Sequence, residues 1–181
     1  MLINPERQAI PAEFIEKLPE GFKVTNRKGA VYVVVHDLRC PNGHSLMTDA
    51  IRFHGEPAIH MRVKGGGVKG TMFLDPFWGL HQKLFDFMFK ANHPNPTITA
   101  SCPECNASLM VSRKCDSPDC KSEEFIEFNL PRKNDKIDVC GRWGCPEHNI
   151  SIGMFDDAVR DAVSRINYGQ DIHTHGEVMG F

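Results

Sequence analysis

The residues of this chain best suited to chemistry are its seven cysteines and a few histidines near them. The densest group is CPECNASLMVSRKCDSPDC, which holds Cys102, Cys105, Cys115 and Cys120. Two residues separate the first pair, nine separate Cys105 from Cys115, and four separate the last pair. A C-x-x-C turn sets two thiolates on one side of a metal, and a short hairpin brings a second pair opposite to complete a tetrahedron. ASLMVSR has the length for the first strand of that hairpin. An odd number of cysteines cannot all pair as disulfides within one chain, and clustered reduced thiols point to metal.

Further candidates are dispersed. Cys40-Pro41-Asn42-Gly43-His44 reads as a metal knuckle with histidine in place of the second cysteine. Far downstream, CGRWGCPEH offers Cys140, Cys145 and His148. One assignment joins Cys40, His44, Cys145 and His148 and leaves Cys140 free; another takes Cys140 in place of a histidine. A third pairs Cys40 and His44 with Cys102 and Cys105, and Cys115 and Cys120 with Cys140 and Cys145. The echo between CPNGHSLM and CPECNASLM supports the third. The local set of Cys102, Cys105, Cys115 and Cys120 is nevertheless preferred, because a short loop between ligand pairs closes at lower entropic cost. The expected cofactor is zinc, one ion or two.

The stretch over residues 102–120 resembles the zinc-ribbon superfamily, whose rubredoxin-like knuckles read C-P-x-C-G-x. It is similar to the four-cysteine ribbons appended to some topoisomerases. The resemblance implies a local fold and, through ribbons that dock on nucleic acid, a nucleic-acid role. The chain departs from the pattern at Asn106, where the family has glycine; asparagine tolerates the left-handed backbone better than other non-glycine residues. Iron would suit four sulfurs too, but the aromatic-rich surround of rubredoxin is not evident, so zinc is preferred.

The elements that must position these groups follow from pattern. PAEFIEKL reads as a short helix opening at Pro11. AVYVVVH, over residues 30–36, is a buried strand. Ile59, Met61 and Val63 alternate with His60, Arg62 and Lys64, which is strand period two, and a hairpin over 58–74 turns at Gly65-Gly66-Gly67. The same glycines carry no phosphate-loop signature. Asp75-Pro76 predicts a helix over about 76–91 with two apolar stripes, Phe77, Leu80, Leu84, Phe87 and Met88 on one and Trp78, Phe85 and Phe89 on the other. Short strands fill 97–152, and a second amphipathic helix is predicted over about 154–167, with Asp156 and Asp157 in its first turn. Asp49, Arg52, His54, Glu56 and His60 read as a solvated strand face, and His173 and His175 belong to a polar tail.

The fold expected is therefore α+β: antiparallel strands with a zinc ribbon and two main helices. An N-terminal part over 1–96, a ribbon part over 97–152 and a C-terminal helix and tail over 153–181 would form one compact unit. At 181 residues, with 41% apolar and 24% charged side chains and a net charge of −2, the composition is globular and excludes a generally basic polyanion binder. The first residues do not read as a secretory leader and no apolar run approaches ~20 residues, so the chain is expected in the cytoplasm, off membranes. A binding or accessory role is favoured over catalysis, with a protein partner or second copy meeting the two-striped helix. Nucleic acid is the second reading, from Arg113, Lys114, Lys121, Arg132, Lys133, Lys136 and Arg142. A metalloenzyme is the third, with an open Cys/His site beside Glu147 or Glu56.

Overall fold

A computed structural model describes residues 9–27, 29–87, 96–168 and 178–179. The architecture is mostly antiparallel β-sheet with two helices. Helix α1 (Ala12–Glu16) precedes a hairpin of β1 (Phe22–Arg27) and β2 (Ala30–Val35). Strands β3 (Met47–Phe53), β4 (Glu56–Gly65), β5 (Val68–Leu74) and β6 (Lys83–Phe85) form a meander. β7 (Thr99–Ser101) pairs with β4, and β12 (Val178–Met179) with β3. The third sheet has the order β11-β10-β9-β8, from β8 (Met110–Ser112), β9 (Glu124–Asn129), β10 (Lys136–Cys140) and β11 (His148–Ser151). Helix α2 (Asp157–Ser164) packs on β11.

The period-two reading of β4 matches the burial. Ala58, Ile59, Met61 and Val63 are buried, and Gly65 pairs with Val68 across a two-residue turn. Gly66 and Gly67 both take positive φ there (57° and 77°), the backbone that such a hairpin turn requires. Helix α2 is capped by Asp156, whose side chain accepts the Val159 N–H (2.9 Å), so only Asp157 lies inside its first turn. Its inner face is narrower than the sequence suggests: Phe155, Val163 and Ile166 are buried, whereas Ala158 and Ala162 are exposed. One continuous set of buried residues runs from Phe14 through Phe22, Leu46, Met61, Leu109 and Phe128 to Ile166, joining all three sheets and both helices.

The predicted helix over 76–91 is absent from its described part. Asp75 Oδ1 does accept the Phe77 N–H (2.9 Å), the hydrogen bond of a helix start. The backbone then turns away, however. Pro76 O accepts the Val35 N–H (2.8 Å) and the Trp78 N–H donates to Val33 O (2.9 Å), so strand β2 captures the segment. Gly79 takes φ 87°, where its missing Cβ makes room for Tyr168 and Ile166. Residues 83–85 then join the edge of β5. Three residues of the apolar stripes are buried inside the chain, Trp78 in the main core and Phe77 and Leu80 with Tyr32 and Val34 in a smaller cluster, while Leu84, Phe85 and Phe87 are half-buried. Met88 and Phe89 lie outside the described residues, as do His173 and His175.

Candidate metal centres

All seven cysteines are free thiols, and they gather into two four-residue groups. Cys40, His44, Cys102 and Cys105 form the first, and Cys115, Cys120, Cys140 and Cys145 the second. Within each group the ligand atoms lie within 4.8 Å of one another. The preferred local set of Cys102, Cys105, Cys115 and Cys120 is not brought together. Strand β8 is the reason. A strand advances ~3.3 Å per residue, so the chain between Cys105 and Cys115 carries the two pairs to opposite ends of an extended segment.

The spacing of the ligand atoms fits a tetrahedral ion. Metal–sulfur bonds of about 2.3 Å place tetrahedral sulfurs about 3.8 Å apart, and a nitrogen ligand at about 2.0–2.1 Å shortens that edge to about 3.5 Å. The observed Sγ–Sγ separations are 3.8 Å for Cys40–Cys105, 3.7 Å for Cys115–Cys145 and 3.6 Å for Cys120–Cys140. Cys40 Sγ lies 3.5 Å from His44 Nδ1. Bonded sulfurs would sit at about 2.05 Å. The donor set is four soft or borderline ligands in each case, suited to a thiophilic divalent ion.

The first centre is built from two related knuckles, the second one residue longer than the first. The Cys40 N–H donates to His44 O and the Cys102 N–H to Ala107 O, both at 2.9 Å. The Gly43 and Asn106 N–H groups return to Cys40 O and Cys102 O, and both residues are left-handed (φ 86° and 63°). Downstream, the Met47 N–H donates to Ser45 Oγ and the Met110 N–H to Ser108 Oγ, each at 3.2 Å, while Leu46 and Leu109 are buried. The S-L-M echo is thus a structural repeat, with Asn106 doing what glycine does elsewhere.

The grouping of the second centre is that of the third assignment, and it too is a repeat, which the sequence reading did not draw. Cys115 and Cys120 enclose four residues, as do Cys140 and Cys145. The Cys115 N–H donates to Ser122 O and the Cys140 N–H to Glu147 O (both 2.9 Å); the Cys120 N–H donates to Ser117 O (3.0 Å) and the Cys145 N–H to Arg142 O (3.2 Å). The equal C-x4-C spacing was the signal. His148 joins neither group. Its Nδ1–H donates to Pro146 O (2.9 Å), its ring stands edge-on to Trp78 with centroids 4.8 Å apart, and burial lowers its pKa.

Each of the seven sulfurs faces the N–H of the residue two positions on: Asn42 for Cys40, Glu104 for Cys102, Ala107 for Cys105, Ser117 for Cys115, Ser122 for Cys120, Arg142 for Cys140 and Glu147 for Cys145. These dipoles favour thiolate, the form that ligates metal. The Ala107 N–H, helped by the Asn42 amide, brings the Cys105 pKa down to about 6 against its partial burial. At Cys120 burial opposes ionisation, yet the Ser122 N–H and the neighbouring thiols bring it to about 7. Burial raises Cys115 to about 11, and pushes Cys102 and Cys145 up as well. Without a cation, four packed thiols cannot all ionise; a divalent ion removes that conflict.

The other candidates separate. Arg52 pairs with Asp49, Glu56 with Lys23 (2.5 Å), and His60 Nδ1 lies 3.0 Å from Leu46 O. His54 packs beside Asp75 at 3.6 Å. None of these converges on a shared point. No helix among the described residues is long and apolar enough to cross a membrane. No family profile, no curated protein and no solved structure matches this chain.

Proposed function

We propose that this chain is a two-zinc binding or accessory protein of the cytoplasm, in which both ions are structural and the scaffold they hold meets a protein partner. The observation that carries the reading is the pair of four-ligand sets at tetrahedral spacing. A set closed by four protein ligands leaves no position for a reacting water, unlike the three-ligand sites of zinc enzymes. Each set also ties segments distant in sequence: Cys40 and Cys105 are 65 positions apart, Cys115 and Cys145 are 30. Metal binding at such sites is folding free energy. In this reading both centres are zinc-ribbon-like, the first interrupted by the β3–β6 meander.

Metal content per purified chain, with metal identity, tests it. Two zinc ions per chain are expected; one ion or none, or iron in either site, would overturn it. X-ray absorption should return a shell of seven sulfurs and one nitrogen summed over both ions.

Nucleic acid is the alternative occupant of the scaffold. Three of the seven basic residues near the centres are engaged internally: Arg113 with Asp138 (2.7 Å), Lys136 with Glu127 (2.5 Å) and Arg142 with Asp119 O (2.8 Å). Lys114, Lys121, Arg132 and Lys133 are exposed and form no ion pair among the described residues. Titration against an oligonucleotide across salt concentrations discriminates. An affinity that falls steeply with salt supports this alternative, and no binding at low salt removes it.

A further inference from the structure

Loaded with divalent ions, the two centres differ in charge. Three thiolates and a neutral histidine leave the first with one net negative charge, and four thiolates leave the second with two. Three ligands of the more highly charged centre are buried, Cys115, Cys120 and Cys140 each at most 7% exposed, and Cys145 is partly so. A buried dianion is costly unless a cation or a set of hydrogen bonds compensates it. The cysteine-directed N–H groups are the same in kind at both centres, so they do not offset the additional charge.

One cation is placed to do so. Successive side chains of a strand alternate between faces, so Lys83 and Phe85 of β6 project to the same side. Phe85 packs on Trp143 with ring centroids 4.3 Å apart. Trp143 belongs to the loop between Cys140 and Cys145, which is half of the second centre. The face of β6 that carries Lys83 is therefore docked on that loop, and Lys83 lines one cleft together with Trp143, Gly144 and Cys145. It has no carboxylate partner among the described residues, which is unusual for a lysine drawn into the protein. The nearby arginines are committed elsewhere: Arg142 to Asp119 O, and Arg113 to Asp138 and the Phe125 ring.

We propose that Lys83 is the counter-cation of the Cys115–Cys120–Cys140–Cys145 centre, a non-ligating member of that metal site supplied by the neighbouring sheet. The sheet thus reaches both centres: the first through the knuckles before β3 and after β7, and the second through the docking of Phe85 on Trp143.

The inference rests on the two-metal reading, and the experiment separates the two. The full chain is loaded with cadmium-113, which gives distinct resonances for all-sulfur and for sulfur–nitrogen sites, and the metal count is taken first. Fewer than two ions per chain would fell the two-metal reading and this inference with it. With two ions bound, Lys83→Met should shift the all-sulfur resonance, leave the other in place, and speed the transfer of one ion to a competing chelator by roughly ten-fold or more, as loss of an outer-shell partner does. Lys83→Arg, which keeps the charge, should restore both readings. Lys83→Gln serves beside methionine should that variant not fold. An unmoved all-sulfur signal, equal loss of both ions, or an arginine variant that behaves like methionine would each overturn the assignment while leaving the two-metal reading intact.

Discussion

The two centres differ in how many ligands reach solvent: His44 and Cys105 of the first are partly exposed beside buried Cys40 and Cys102, whereas in the second only Cys145 is. His44 is 39% exposed at its side chain, with the Glu104 carboxylate 3.8 Å from its Nε2. Asn42 and Cys105 are also open to solvent or partly so. The second centre sits under Phe125, with Val111 packed beside it. Under the two-metal reading, ions at these sites would do two different jobs. At the first centre an ion would clip together two knuckles that the hydrogen-bonded sheet already brings close. At the second it would hold a small cluster of its own, with Phe125 and Val111, apart from the main core. Removing the second ion should therefore cost more structure than removing the first.

The largest expected effect follows directly. Cys120→Ser removes a buried thiolate from the second centre, and the chain should lose one ion and its cooperative fold. A structural zinc site contributes about 10–16 kcal/mol, as much as the whole stability of a typical domain, about 5–15 kcal/mol. Metal count together with near-UV circular dichroism checks this. A folded, one-metal Cys120→Ser chain would break the comparison. His44→Ala should be milder, because water reaches the vacated position. The fold should survive with both ions bound under metal excess. The first ion alone should move to a chelator roughly 10- to 100-fold more readily, an estimate taken from changes around other zinc sites.

Much of the first centre could be read from residues alone, and much of the second could not. CPNGHSLM and CPECNASLM share a pattern because they share a backbone, so their likeness survives in the letters. The preference for a local four-cysteine ribbon failed because loop length is a weak argument: each doubling costs only about 0.6 kcal/mol. Sheet hydrogen bonds had in any case closed the long loop between Cys40 and Cys102. The hairpin over 58–74, strand β2 and the C-terminal helix were legible from period and caps. The helix over 76–91 was not. Its leading apolar residues, Phe77, Trp78 and Leu80, are buried, but in two separate clusters instead of on two sides of a helix. Gly79, the residue that breaks it, costs an isolated helix only about 1 kcal/mol, too little to be decisive without knowledge of β2.

The neighbourhood of the second centre should also set an acid limit of its own. His81 lies 5.1 Å from His148, ring to ring, and hydrogen-bonds Asn167 through Nε2 (3.1 Å). Burial, then repulsion from His148 and Lys83, lowers its pKa to about 4. A histidine whose folded pKa is depressed stabilises the fold above its unfolded value of about 6.5, and that contribution is lost as pH falls toward the folded value. Urea midpoints measured with excess zinc should therefore decline between about pH 6.5 and 4. The decline should be shallower in His81→Gln, which cannot take up the proton. Parallel curves for the two proteins would show that ligand protonation alone governs the acid side.

The smallest effect tests the repeat within the first centre. Gly43 and Asn106 each stand two residues before the serine that follows the knuckle, both left-handed, each donating its N–H back to the first cysteine's carbonyl. A Cβ on Gly43 would meet nothing within 4 Å, so the cost of replacing it is conformational only. Asparagine bears the left-handed backbone with little penalty, whereas β-branched residues there are genuine outliers. Gly43→Asn should therefore change stability by less than about 0.5 kcal/mol, and Gly43→Val by about 1–2 kcal/mol or more. Asn106→Gly should cost slightly more than the conformation alone implies, because Asn106 Oδ1 also accepts from Arg62 Nη1 (3.3 Å). Urea denaturation of the zinc-loaded variants resolves these differences. If Gly43→Asn proved as costly as Gly43→Val, the two knuckles would be alike in sequence and hydrogen bonding but not in what their backbones tolerate, and the equivalence of the two halves of the centre would fall.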